Sequence, residues 1–297
     1  MYNQKVNLPL LKNNGIQLFV KREDQIHPFI SGNKYRKLKY NLAMAKTEGF
    51  GALLTFGGAF SNHIAATAYA GFEHGFKTIG VIRGQELGSK AYNATLSFAK
   101  AHGMELYFVD RTQYRTKDSE EFVAELRSKF GNFYLIPEGG TNALAVRGCE
   151  EILEQQDADF DYVCVAVGTG GTISGLINSL KAHQQLLGFP ALRGDFLPSE
   201  IRKFARLDQW SLTYDYHFGG YAKINRELIE FINQFKQDTT IPLDPVYTGK
   251  MMYGILDLVH KGYFSSPAKI LAIHTGGLQG IQGMNQVLKR KKLPLLA

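Results

Sequence analysis

The stretch SGNKYRKLKYNL (31–42) sets a lysine directly behind a Ser-Gly-Asn turn, at the head of a helical pattern. Lys34, Arg36, Lys37 and Lys39 fall within six positions. A surface lysine is a solvated charge, whereas a lysine in a pocket is a nucleophile and a base. Further along, short apolar runs end in glycine beside a hydroxyl or amide: TFGGAFSNH (55–63), PEGGTN (137–142), VGTGGTISG (167–175) and HTGG (274–277). Gly168, Thr169, Gly170, Gly171 and Thr172 make a turn with little side-chain bulk that opens into a helix. Free N–H groups and the positive end of the helix dipole suit such a turn to a phosphate. It lacks the G-x-x-x-x-G-K-[ST] pattern of nucleoside triphosphatases and fits the spaced G-x-G-x-x-G of dinucleotide folds poorly. One such loop alone could be a tight turn without a ligand. Several in one chain, together with a lysine behind a turn, suggest a phosphorylated cofactor held covalently by an amine.

These residues need elements to position them, and apolar strands alternate with helical patterns along the 297 residues. The spacing predicts strands in GIQLFVKRED, ALLTFGG, KTIGVIRG, ELYFVD, NFYLIPEGG, DYVCVAV and KILAIHTGG. Helices are expected from Lys34 to about Thr47, in SNHIAATAYAGFEHG with Ile64, Ala68 and Phe72 on its apolar face, and around NATLSFAKAHG. More follow in FVAELRSKF, ALAVRGCEEILEQ, GTISGLINSLK and RELIEFINQF, then from Gly249 to His260, with a short one at the end. Such alternation means βαβ units and parallel sheets, whose ligands gather at the C-terminal strand ends. Residues 187–225 are the least regular part.

Composition narrows the function classes. Hydrophobic residues make up 44% and charged residues 21%, as in ordinary globular proteins. The net charge of +7 gathers partly at 34–39 and in KRKK (289–292), without the aromatic interleaving of a nucleic-acid-binding stripe. No nucleic-acid partner is expected, and KRKK reads as a solvated tail. Cys149 and Cys164 read as small core residues, and no Cys/His spacing suits a metal. No basic leader precedes an apolar stretch, and no run approaches the about 18 apolar residues of a membrane span. A cytoplasmic protein without membrane contact is expected.

Pyridoxal phosphate fits the phosphate loop and the lysine, because a lysine amine holds it and its ring withdraws electrons. SGNKYRKLKYNL resembles the lysine motif of the tryptophan-synthase-β-like, fold type II, pyridoxal phosphate enzymes. The branch it resembles contains 1-aminocyclopropane-1-carboxylate deaminase and D-cysteine desulfhydrase. SNH (61–63), GTGGTISG (168–175), LDPVYTGKMMYG (243–254) and HTGG (274–277) follow in that family's order over nearly the whole chain. The resemblance implies α/β architecture with two αβα domains and mainly parallel sheets. The large domain would take residues 1–47 and 141–297, the small one 48–140, with the cofactor in the cleft between them. A homodimer acting on a small amino acid is implied as well.

The resemblance also assigns roles. Lys34 carries the cofactor and moves the substrate's Cα proton, Lys37 helps to hold the phosphate, and Asn62 bonds the cofactor's phenolic oxygen. Ser61, Asn62 and His63 open a helix whose amides can take a substrate carboxylate, although Ser61 also suits an N-cap and His63 also suits packing. Tyr221, Tyr247 and Thr248 stand near the substrate, Ser61, Tyr221 and Tyr247 join Lys34 as catalytic residues, and Thr275 lies beside the pyridine nitrogen. Arg36 and Lys39 are left as surface charges. Thr248 and Thr275 replace the Glu and Leu of the deaminases, and SNH replaces SNQ. That pattern favours β-elimination from D-cysteine to pyruvate, ammonia and sulfide. Cyclopropane ring opening to 2-oxobutanoate and ammonia is the second expectation, and a low-turnover cofactor-binding protein the third.

Overall fold

Runs such as VCVAV and ILAI carry no polar residue to face water, so they pair as strands covered on both sides. In the computed structural model, which describes residues 1–297, the chain runs β1 (Asn3–Val6), α1 (Pro9–Asn13), β2 (Ile16–Lys21), α2 (Asn33–Thr47), β3 (Ala52–Gly58), α3 (Asn62–His74) and β4 (Lys77–Arg83). Next come α4 (Ala94–Ala101), β5 (Met104–Val109), α5 (Arg111–Arg115), α6 (Glu120–Phe130), β6 (Tyr134–Ile136), α7 (Ala143–Glu150), β7 (Tyr162–Val167) and α8 (Gly171–Asn178). The last elements are β8 (Gln185–Pro190), α9 (Leu197–Arg202), β9 (Trp210–Leu212), α10 (Arg226–Thr239), α11 (Thr248–His260), β10 (Ala268–Ile273) and α12 (Gly280–Arg290).

Two sheets result. The larger has the order β1-β2-β10-β7-β8-β9, parallel except for β1, which pairs antiparallel with β2. The smaller, β5-β4-β3-β6, is parallel throughout. All strands of the smaller sheet lie between residues 52 and 136. Helix α2 ends at residue 47, the expected boundary, and packs against both units. Leu38, Leu42 and Ala45 pack with Leu53, Ala66, Ala70 and Ile136 of the smaller unit. Its opposite side lies so close to α7 that a Cβ on Gly148 would stand 1.9 Å from the Arg36 carbonyl oxygen. The helix that begins with Asn33 and Lys34 is therefore clasped by both units.

Several local expectations are corrected. Arg36 is no solvated charge: its guanidinium donates twice to the fully buried Glu23 carboxylate, each bond 2.9 Å. Lys39 does pair at the surface, with Glu151. Phe72 is 62% exposed, so the apolar face of α3 ends at Ala68 and Ala70. Helix α7 stops at Glu150, before EILEQ, where a 3-10 turn over Gln155–Asp157 takes over. Residues 187–225 include most of β8, whose LLGFP is buried, besides α9 and β9. Cys149 and Cys164 are buried free thiols in the core, as expected.

Candidate active site

Strands β3, β6, β7 and β10 each end in one of the glycine loops, and these loops meet at a cavity of about 480 Å³ between the two sheets. Lys34 and Lys37 enter it from the first turns of α2. Gly32 lets that turn approach the end of β10: it has φ +61°, and a Cβ there would stand 2.0 Å from the Thr275 carbonyl oxygen. Both lysines donate to the Gly139 carbonyl, Lys34 at 3.1 Å and Lys37 at 3.0 Å, and Lys37 also reaches Thr141 Oγ1 at 3.0 Å. Asn33, beside them, donates to Thr172 Oγ1 at 2.7 Å and ties α2 to the start of α8.

Next to the lysines, Gly168, Thr169, Gly170 and Thr172 line the cavity where β7 passes into α8. Gly170 has φ +87°, a conformation glycine adopts without strain. Gly171 does not line the cavity; a Cβ there would come within 3.1 Å of Lys37 Nζ and 2.9 Å of Thr141 Oγ1. The bare first turn of α8, an adjoining ammonium and the Thr141–Thr169 hydroxyl pair at 2.6 Å form a cradle suited to a phosphate. These residues fit pyridoxal phosphate, with Lys34 as the amine beside the cradle.

Ser61, Asn62 and His63 line the cavity at the start of α3. The Ser61 hydroxyl accepts from the Ile64 N–H at 3.3 Å, so it caps the helix and still faces the cavity. His63 is buried, with Nε2 2.8 Å from Thr55 Oγ1 and Nδ1 without a protein partner. Tyr221 and Tyr247 pack edge to face at 6.2 Å on another wall, and Thr275 lies at the end of β10.

Thr248 does not line the cavity. It is fully buried, donating to Asp244 Oδ1 at 2.8 Å and accepting from the Asp244 N–H at 2.9 Å. Asp244 also accepts from the N–H groups of Val246, Tyr247 and Thr248, so this knot sets the start of α11 and the placement of Tyr247. Arg83, Glu138 and Phe60 line the cavity unanticipated. A charged residue closing an apolar parallel strand, as in KTIGVIRG, was the available signal for Arg83. Lys250 is a second surprise: buried, it donates to the carbonyls of His217 and Gly220, both at 2.8 Å.

Burial, then the charge of Lys37, holds the Lys34 ammonium well below its usual range. Burial brings Lys37 down to about 8. His63 is held well below its usual value by burial and then by both lysines, so it is a neutral ring at neutral pH. Burial pushes the Tyr247 phenol well up and raises that of Tyr221. The cavity therefore offers an amine whose neutral form is favoured and two protonated phenols, a set suited to moving protons about an amino acid.

Comparison with known proteins agrees with this chemistry. The sequence model of the family described as "Pyridoxal-phosphate dependent enzyme" matches residues 4–276. A Pyrococcus horikoshii protein, provisionally named 1-aminocyclopropane-1-carboxylate deaminase, is 34% identical over 285 residues, covering 90% of this chain and 86% of that one. A D-cysteine desulfhydrase of Klebsiella pneumoniae is 32% identical over 302 residues, covering 91% and 90%. Among solved structures, an "ACC deaminase homologue" superposes with a TM-score of 0.85 at 31% identity, covering 97% of this chain and 93% of the other.

Proposed function

The chain belongs to the pyridoxal-phosphate-dependent enzymes, in the 1-aminocyclopropane-1-carboxylate deaminase/D-cysteine desulfhydrase family, and on that footing we propose that it is a lyase of the D-cysteine desulfhydrase type. The observation that carries the reading is the meeting of Lys34 with the Gly168–Thr172 cradle and the start of α3 in one cavity. When bound, pyridoxal phosphate supplies an electron sink for the bond broken at the substrate's Cα.

The chain's own residues do the rest. The Gly168–Thr172 turn, the dipole of α8 and Lys37 hold the phosphate. Lys34, its neutral form favoured by burial, is able to hold the cofactor and to accept the Cα proton at Nζ. Asn62 would hold the cofactor's phenolic oxygen, and the free amides at the start of α3, with Ser61 and His63, would receive the substrate carboxylate. Thr275, a neutral hydroxyl lining the cavity, would lie beside the ring nitrogen and would not protonate it, an arrangement suited to elimination over transamination. The phenols of Tyr221 and Tyr247 stay protonated and are able to donate to the departing β-substituent. Thr248 acts through Asp244 to orient Tyr247 and does not touch substrate.

D-cysteine and water would give pyruvate, ammonia and sulfide. Ring opening to 2-oxobutanoate is the second reading, supported by the name of the Pyrococcus horikoshii relative. It needs a nucleophile or base to attack the ring, and the deaminase pattern of Glu and Leu is replaced here by Thr248 and Thr275. Steady-state release of sulfide, pyruvate and 2-oxobutanoate from D-cysteine, L-cysteine and the cyclopropane amino acid separates the two. Faster 2-oxobutanoate release than sulfide release would reverse the order.

A further inference from the structure

Arg83 closes β4 as an exposed residue that also lines the cavity, and none of its side-chain nitrogens forms an ion pair or hydrogen bond within the chain. It is nevertheless held. Its guanidinium lies 5.6 Å from the ring centroid of Tyr114, a buried residue whose hydroxyl donates to Glu138 at 2.7 Å. It runs beside Gly58, its register partner on β3, where an added Cβ would stand 3.6 Å from Nη2. Gly58 begins the short loop to the start of α3. Glu138, which also lines the cavity, has its charge answered by Tyr114 and by Lys117 at 3.4 Å. The cavity thus keeps an unanswered cation on the wall built from the smaller sheet. Arg83 and Tyr221, the substrate-side tyrosine, line the same cavity.

The phosphate has Lys37 and α8, and the substrate's α-carboxylate has the amides of α3. Arg83 is left with neither. We propose that Arg83 is a specificity-determining residue that recognises an anionic group on the substrate's β-substituent. The site would then prefer small β-substituted amino acids that carry a second negative charge. A planar guanidinium fork suits a carboxylate or sulfonate, which takes two parallel hydrogen bonds from it.

This rests on the lyase reading for its chemistry. Lys34 Nζ takes the Cα proton, and the Cβ–X bond breaks with its electron pair going to X. X leaves as HX with its anionic group on the Arg83 side, and water converts the remainder to pyruvate and ammonia. No oxidant or reductant enters.

The test uses the holoenzyme and acid/amide pairs of matched shape. Calorimetric titration with D-aspartate and D-asparagine, which lack a leaving group, should show the acid bound about fivefold more tightly, the scale of a partly exposed charge pair. Arg83→Gln should erase that preference, Arg83→Lys should keep part of it, and added salt should weaken it. In turnover, kcat/KM for S-carboxymethyl-D-cysteine over that for its carbamoylmethyl amide should fall in Arg83→Gln by a similar factor. Equal affinities in the wild type, or an acid preference that survives Arg83→Gln, would overturn the proposal. The wild-type ratio decides even if a variant fails to fold. If neither thioether is turned over while the binding preference holds and is lost in Arg83→Gln, the lyase reading fails and Arg83 stands.

Discussion

Lys34 and Lys37 stand one turn apart on α2 and share the Gly139 carbonyl, yet their surroundings prepare them for different work. The like charge of Lys37 adds to burial in favouring the neutral form of Lys34, the form a nucleophile and base uses. Lys37, brought down to about 8 and held by Thr141, keeps a proton at neutral pH and faces the phosphate cradle. Its charged form is the one a phosphate dianion prefers. Affinity for a phosphorylated pyridine should therefore be greatest below about pH 8 and fall as pH rises through that value. Pyridoxine 5'-phosphate, which lacks the aldehyde, isolates this contribution. Titrations of the cofactor-free protein with it should lose up to about tenfold in affinity per pH unit on the alkaline side. Lys37→Met should weaken binding and flatten the profile; an unchanged profile in that variant would assign the dependence to another group.

Among the elements, α11 shows how a motif read as contact residues works as scaffolding. DPVYTGK was legible as one piece, but its Thr248 and Lys250 face away from the ligand side. Thr248 closes the Asp244 knot, so Thr248→Glu would press a second carboxylate against a buried first one. That change should destabilise the fold by about 3 kcal/mol or more, read as a lowered denaturant midpoint, before any effect on reaction type. A variant of unchanged stability would show that the knot tolerates the charge. Lys250 straps the 217–222 turn, where Phe218, Gly219, Gly220 and Ala222 all have positive φ, and so fixes Tyr221. Lys250→Met should raise KM for the amino acid about tenfold, the scale of a lost charge-assisted bond, with cofactor affinity little changed. Equal losses in both would mean that the strap supports the whole site. The strand-glycine-helix units were legible because an apolar run followed by glycines and a helical period is a local signal, as in VCVAVGTGG. Strand β8 was not, because Gly188 interrupts a short run and its pairing with β7 and β9 is a tertiary fact. Arg36 misled for a similar reason, since its partner Glu23 lies in a turn that sequence spacing does not bring near.

At the scale of the molecule, two sheets of different size point their C-terminal strand ends at one cleft, and α2 is packed against both. The cradle belongs to the larger sheet and the start of α3 to the smaller, so the ligand site depends on both units. Gly170→Val should disturb the cradle alone: cofactor affinity should fall while the cofactor-free fold, read by circular dichroism, is kept. Unchanged affinity would move the phosphate elsewhere in the cavity. The assignment on which all of this depends is that the cofactor is held by Lys34 and not by its neighbour one turn away. Borohydride reduction of the holoenzyme fixes the cofactor to its lysine, and peptide mapping by mass spectrometry then locates it. The account predicts the reduced label on Lys34, with Lys34→Ala losing both the label and the visible absorption of the lysine-bound cofactor. A label on Lys37 or any other lysine, or an absorption band that persists in Lys34→Ala after reduction and dialysis, would contradict it.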